Sequence, residues 1–279
     1  MGRASVDQFV LCWHSRSGVS RNDHTLHHGL SGQVVRGERG RFHPAPWNGA
    51  GLPAPTVNMH VVIFAGGTLR PGKAVDAVIA QADCIIAADS GAATALSYGR
   101  IPATVVGDFD SLDASLQQQL RQQGSRFIQA AVEKNETDTE LAVQVAIEQG
   151  ANAITLLGAF GGVRFDHAMA NILLLAAIDT VPIRIIDGPS ICWLLRGPGH
   201  TSISGRPGDL LSLLPLTSEA TGVRTSNLYY PLYGETLHFG KPRGVSNVLI
   251  QEHAAVSLEK GLLLIVHTDI EELNGQVTP

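Results

Sequence analysis

The chain has 279 residues, 44% of them hydrophobic and 16% charged, which supplies a buried core and excludes general disorder. A net charge of -5 repels a phosphate backbone and argues against nucleic acid as a partner. Apolar runs such as 172–178 and 262–266 fall short of the roughly 18–20 residues that cross a bilayer, so no membrane partner is expected.

Charge is uneven along the chain. Residues 1–58 hold six arginines and three acids, a balance of +3, which leaves -8 for the remainder. That first segment is rich in glycine and histidine and has no sustained hydrophobic period, so it reads as an irregular extension or an overextended start. An Arg-rich transit peptide is a poorer reading. Cys12, Cys84 and Cys192 are odd in number and form no C-x-x-C pair, which fits a reducing cytoplasm.

From Met59 onward short apolar runs alternate with helix-length amphipathic stretches. Strands are predicted at 60–65, 84–88, 103–106, 126–129, 153–157 and 183–186, and helices at 73–81, 91–98, 112–123, 138–149 and 166–178. Strand and helix in alternation predict an α/β fold, a mostly parallel sheet flanked by helices. Thr137 and Glu140 have capping-box spacing, so Asp138 falls in a first helical turn. After about residue 186 the rhythm changes to short apolar segments separated by turns, which predicts a smaller all-β sandwich domain. The expected divisions are 1–58, an α/β domain at 59–184, a β-sandwich at 185–270 and a tail at 271–279.

In an open α/β sheet ligands bind beyond the carboxyl ends of the strands, and the unusual residues collect there. They are Asp89-Ser90-Gly91-Ala92, Gly107-Asp108-Phe109-Asp110-Ser111, Lys134 to Asp138, and a loop of Gly158, Gly161, Gly162, Arg164, Asp166 and His167. Singly, Asp89, Asp110 and Asp138 could be helix caps. Asp108 and Asp110, two apart in an extended segment, would share one side and repel without a cation between them. Four acids on one rim favour a metal site at Asp89, Asp108, Asp110 and Asp138. All-oxygen ligands beside candidate phosphate-binding groups favour Mg²⁺, and no nearby cysteine or paired histidine suggests zinc. Lys134 and Arg164 offer charge to a polyphosphate, and Gly161 and Gly162 offer backbone amides. The segment from Gly67 to Lys73 fits G-x-x-x-x-G-K, but Ala74 lacks the metal-binding hydroxyl and Pro71 removes an amide. A turn that starts a helix is the simpler reading.

These motifs, in this order and spacing, resemble those of the thiamine pyrophosphokinase family. The resemblance extends to Leu228-Tyr229-Tyr230-Pro231-Leu232 and Gly244-Val245-Ser246-Asn247 in the β region and spans about residues 59–268. Two departures from the family pattern are Ser90, where glycine is usual, and one extra residue before Arg164. The resemblance implies diphosphate transfer from ATP to the hydroxyethyl group of thiamine, giving thiamine diphosphate and AMP. It implies a homodimer whose site is shared between subunits. By the same resemblance, Asp89, Asp108, Asp110 and Asp138 would hold Mg²⁺ and position ATP; Lys134, Thr137, Gly161, Gly162, Arg164 and Asp166 would serve the phosphates. Tyr230 would stack on the thiamine pyrimidine, with Ser246 and Asn247 hydrogen-bonding its edge. The competing readings are a diphosphokinase for a pterin-type alcohol and a non-catalytic nucleotide- or thiamine-binding module.

Overall fold

The computed structural model describes residues 59–131 and 133–276; the expected extension at 1–58 lies outside them. Strands β1 (His60–Phe64), β2 (Cys84–Ala88), β3 (Thr104–Gly107), β4 (Arg126–Gln129), β5 (Ala153–Leu157) and β6 (Ile183–Asp187) pair in parallel, in the order β4-β3-β2-β1-β5-β6. Apart from the edge strand β4, their apolar runs are buried on both faces, as parallel strands between helical layers require. Helices α1 (Lys73–Ala80), α2 (Gly91–Ser97) and α3 (Ala114–Gln122) cover one face through Val75, Ile79, Ala95 and Leu120. Helices α4 (Asp138–Glu148) and α5 (Phe165–Ala177) cover the other through Ala142, Val143, Ala146 and Leu175. The expected α/β layer is present, with element bounds within two residues of those read from the sequence.

After β6 the chain turns at Gly188 (φ 54°) into the antiparallel strand β7 (Ser190–Arg196), which pairs with β6 from Arg184↔Trp193 to Asp187↔Ser190. The remaining strands are β8 (Gly199–Ser204), β9 (Leu210–Pro215), β10 (Glu219–Ser226), β11 (Tyr233–His238), β12 (Asn247–Val248), β13 (His253–Leu258) and β14 (Leu262–Thr268). One sheet of the expected sandwich is therefore continuous with the parallel sheet, giving ten strands ordered β12-β9-β14-β7-β6-β5-β1-β2-β3-β4. The second sheet, β11-β10-β13-β8, packs over it through Leu211, Leu213, Val223, Val256, Leu263 and Ile265.

The expected tail begins as helix α6 (Ile270–Gln276). Glu272 of this helix accepts from the Lys73 backbone N–H at the start of α1 (3.0 Å), and Arg70 donates to the buried Asp187 from its backbone N–H (3.0 Å) and its Nε (2.8 Å). The 67–73 segment is thus tied to the sheet end and to α6. Its helix start already holds an anion, the chain's own carboxylate, which favours the helix-start reading over a phosphate cradle. No described helix is long and apolar enough to cross a membrane.

Candidate active site

The direction of the strand order reverses at β1, which sits between β2 and β5. The crevice outside the carboxyl ends of the strands at that reversal is where α/β sheets place ligands. Two glycine-bearing loops border it, 66–68 after β1 and 158–162 after β5. They meet backbone to backbone: a Cβ on Gly67 would stand 2.4 Å from the carbonyl oxygens of Gly158 and Gly161, and one on Gly161 would stand 1.8 Å from that of Thr68. Only glycine permits this approach. Asn171, buried on α5, fastens the second loop by donating Nδ2 to the Ala159 carbonyl at 2.8 Å. Gly161→Ala should displace the loop and destabilise the fold by about 1–3 kcal/mol, as overpacking does; an unchanged unfolding midpoint in urea would refute the close packing.

Beside this crevice stand the acids. Asp89 follows β2, and Asp108 and Asp110 follow β3; each offers a carboxylate oxygen within 4.8 Å of the others. None of the three caps a helix. Ser90 is the N-cap residue of α2, and the cap of α3 is Asp113, which accepts from the Ser115 N–H at 2.8 Å. Asp89 and Phe109 both have positive φ (46° and 66°), a backbone conformation that non-glycine residues hold at a cost. Ser111 donates to Asp89 Oδ2, while Asp89 Oδ1 is buried with no partner among the described residues. Burial pushes the Asp89 carboxyl above its usual range, opposed by the Ser111 hydrogen bond and reinforced by Asp138, Asp108 and Asp110. Converging oxygens, one of them orphaned, with no basic group paired to Asp89, Asp108 or Asp110 among the described residues, are the donor set of a hard cation such as Mg²⁺.

Asp138, the fourth expected ligand, stands beside the group rather than in it. Lys134 Nζ lies 2.5 Å from its Oδ1, an i,i+4 ion pair, although a Cβ on Gly107 would touch both Asp138 Oδ1 (3.4 Å) and Asp89 Cβ (3.2 Å). Lys134 therefore holds Asp138, and its position beside the acids follows from that pair. Thr137 accepts from the Glu140 N–H at 3.1 Å as the cap of α4, which leaves its hydroxyl proton for a donor role. Arg164 and Asp166 form a bidentate pair (2.9 and 2.6 Å) on an exposed rim, and the guanidinium draws the Asp166 carboxyl down to about 2. Asp166 is thus the orienting partner of Arg164 and not part of the three-acid group. Ser90, the departure from the family pattern, lies against Gly66, its Oγ 3.4 Å from that carbonyl.

In the sandwich, Tyr229 and Tyr230 pack edge to face (centroids 4.8 Å apart, 83°), and each is 64% exposed. Buried Asn247 is engaged with the neighbouring backbone. Its Oδ1 accepts from the Tyr230 N–H (2.9 Å) and its Nδ2 donates to the Tyr230 carbonyl (2.7 Å), so its amide fixes the Tyr230 backbone. Exposed Ser246 adopts φ 58° and donates its N–H to Ser212 Oγ. Ser111 and Asn171 received no role from the sequence; Ser111, directly following Asp110, was the more readable of the two.

Fold and acid cluster define an α/β protein with a carboxylate site at the sheet end, fused through one sheet to a β-sandwich. Residues 75–186 match the model of the thiamin pyrophosphokinase catalytic domain, and 200–263 match that of the thiamin pyrophosphokinase vitamin B1 binding domain, together more than half of the chain. Among curated proteins the chain is 29% identical over 186 residues to thiamine pyrophosphokinase of Bacillus subtilis, covering 66% of this chain and 86% of that one. Among solved structures it is similar to the B. subtilis thiamine pyrophosphokinase (TM-score 0.67, 29% identity, 75% of this chain and 99% of that one). It is also similar to thiamin pyrophosphokinase of Geobacillus thermodenitrificans (0.65, 29%, 76% and 98%). The chain belongs to the thiamine pyrophosphokinase family.

Proposed function

We propose that this enzyme transfers a diphosphate group from ATP to the hydroxyethyl oxygen of thiamine, releasing AMP, at the rim formed by Asp89, Asp108 and Asp110. The observation that carries the reading is the convergence of these three carboxylates, one with a buried oxygen that no group among the described residues satisfies. They fit Mg²⁺, which when bound would draw charge from the phosphate oxygens. Asp110, the exposed member of the group, accepts the hydroxyl proton as the oxygen forms its bond to the β-phosphorus and the bond to the AMP oxygen breaks. Lys134 and Arg164, each held by its own carboxylate, supply the positive charge that offsets the negative charge building on the leaving phosphate.

The same reading assigns a homodimer with sites shared between subunits. Tyr230 hangs on β12 through Asn247 at one edge of the ten-stranded sheet, whereas the acids follow β2 and β3 near the other. Seven strand steps of ~4.8 Å separate β12 from β2, on the order of 30 Å. One thiamine cannot touch both within one chain. Exposed Tyr230 and Tyr233 in the sandwich, and Phe165 and Leu173 on α5, are apolar surface that a second copy would cover. A cytoplasmic location accords with free Cys84 and Cys192.

Incubation with thiamine, ATP and Mg²⁺ should yield thiamine diphosphate and AMP in equal amounts. ADP with thiamine monophosphate would overturn the diphosphate transfer. Turnover of a hydroxymethylpterin in place of thiamine would overturn the substrate, and no product with any of these would leave only a binding module.

A further inference from the structure

A second concavity lies at the opposite end of the parallel strands from the acids. It has a volume of about 540 Å³ and is lined by the starts of β1, β5 and β6 and by residues of β7 and β8. Its walls are largely apolar, formed by Ile183, Ile191, Trp193, Leu194 and Ile203, with Arg184, Thr155 and His60 as the polar groups on the parallel strands. Four consecutive residues of β8, Thr201 to Ser204, line it. Side chains alternate along a strand, so β8 meets the cavity with its edge. That edge is the one without a strand partner among the described residues, where β8 pairs with β13 alone.

The charge in this groove is unusual. Arg184 donates Nε to Thr155 Oγ1 (3.0 Å), and the same hydroxyl lies 2.8 Å from His60 Nε2. Accepting from arginine leaves the Thr155 O–H free to donate to the Nε2 lone pair of a neutral His60. Burial, and next the Arg184 charge, hold the His60 pKa below its ordinary value, in accord with that assignment. This chain of bonds aims the guanidinium while its two terminal nitrogens remain without a protein partner among the described residues, and no carboxylate pairs with it. Burial alone draws the Arg184 pKa down, with no acid opposing it. His267, on the far wall, is already matched by Asp209 at 3.1 Å. An exposed arginine on β6, aimed by Thr155 and without a counter-charge among the described residues, beside a strand edge and an indole, is placed to meet an anion.

We propose that this groove is a second ligand site, taking a small anion on an aromatic or apolar body, with Arg184 at the anionic head and Trp193 at the body. Thiamine, a cation, is the wrong charge for it, and so is the +3 segment at 1–58. The site stands apart from the acid rim, so its occupant does not compete directly with substrates there, and its existence does not depend on the proposed reaction.

Trp193 is itself the reporter once Trp13 and Trp47, the other two tryptophans, are replaced by phenylalanine in the full chain. Phenyl phosphate or benzoate should change its emission saturably at up to millimolar concentrations, and neutral benzyl alcohol should not. The tighter of the two anions identifies the head as phosphate or carboxylate. Arg184→Gln should weaken binding about tenfold or more, the loss expected when a charge-assisted bond is removed. Ser202→Phe, which fills the groove from its exposed β8 wall, should block binding without touching Arg184, and serves if Arg184→Gln does not fold. Neither substitution should alter substrate turnover at saturating thiamine and ATP. No saturable response to either anion, equal affinity in a folded Arg184→Gln protein, or inorganic phosphate binding as tightly as phenyl phosphate would overturn the proposal.

Discussion

Asp110→Asn is expected to lower turnover by about 10²–10⁴-fold while leaving the fold intact, because in the proposed mechanism one carboxylate serves both as an oxygen ligand and as proton acceptor. The amide keeps the shape and loses the charge. Little structure depends on that charge: Asp110 is exposed, and the hydrogen bond at this position is made by its backbone N–H to Asp108 Oδ1 at 3.2 Å. Removing one of three neighbouring negative charges relieves repulsion in the metal-free protein, so the variant should be at least as stable as the parent without Mg²⁺. Thermal unfolding checks this directly. Mg²⁺ should raise the Tm of the parent, since a ligand of the native state stabilises it by mass action, and should raise that of the variant far less. Near-normal turnover in Asp110→Asn would remove the carboxylate from the chemistry, and equal Mg²⁺ shifts would remove it from the metal site.

Tyr230→Ala should raise the thiamine KM by about tenfold or more with a smaller change in kcat, the signature of lost ground-state binding by an aromatic platform. Asn247 holds the Tyr230 backbone rather than its ring, so the loop should keep its shape. The decisive measurement mixes the two variants at low thiamine. If the site is shared, random exchange produces mixed dimers in which one of two sites combines intact Asp110 with intact Tyr230, restoring about one quarter of all sites. No recovery after demonstrated subunit exchange would confine each site to one chain and contradict the sheet-width argument.

Much of this architecture could be read from local sequence. Strands β2, β4, β5 and β13 begin and end where their apolar or alternating runs do, because burial writes itself directly into residue type. The cap at Thr137 was equally plain, as was the Asp108/Asp110 spacing. What escaped depends on partners distant in the chain. No apolar run marks β8, β10 or β12, whose sequences, GHTSIS, EATGVRTS and NV, are short or largely small and polar; only the cross-strand ladders make them strands. That Asn247 serves Tyr230, 17 positions away, is likewise a non-local fact. The Lys134–Asp138 pair is the instructive middle case: its i,i+4 spacing is visible, yet the separate roles expected of them, Asp138 toward the metal and Lys134 toward the phosphates, conceal that they pair with each other.

The unbroken ladder through β6 and β7 also bears on movement. Two regions joined by a flexible linker can close around a substrate by hinging, but here both halves of each chain are parts of one hydrogen-bonded plate, with Asp187 at the join clamped to Arg70. Bending that plate would break ladder bonds across its width. Any tightening around bound substrates must then come from the loops at the strand ends, such as 158–162, or, in the proposed dimer, from the seam between two such plates.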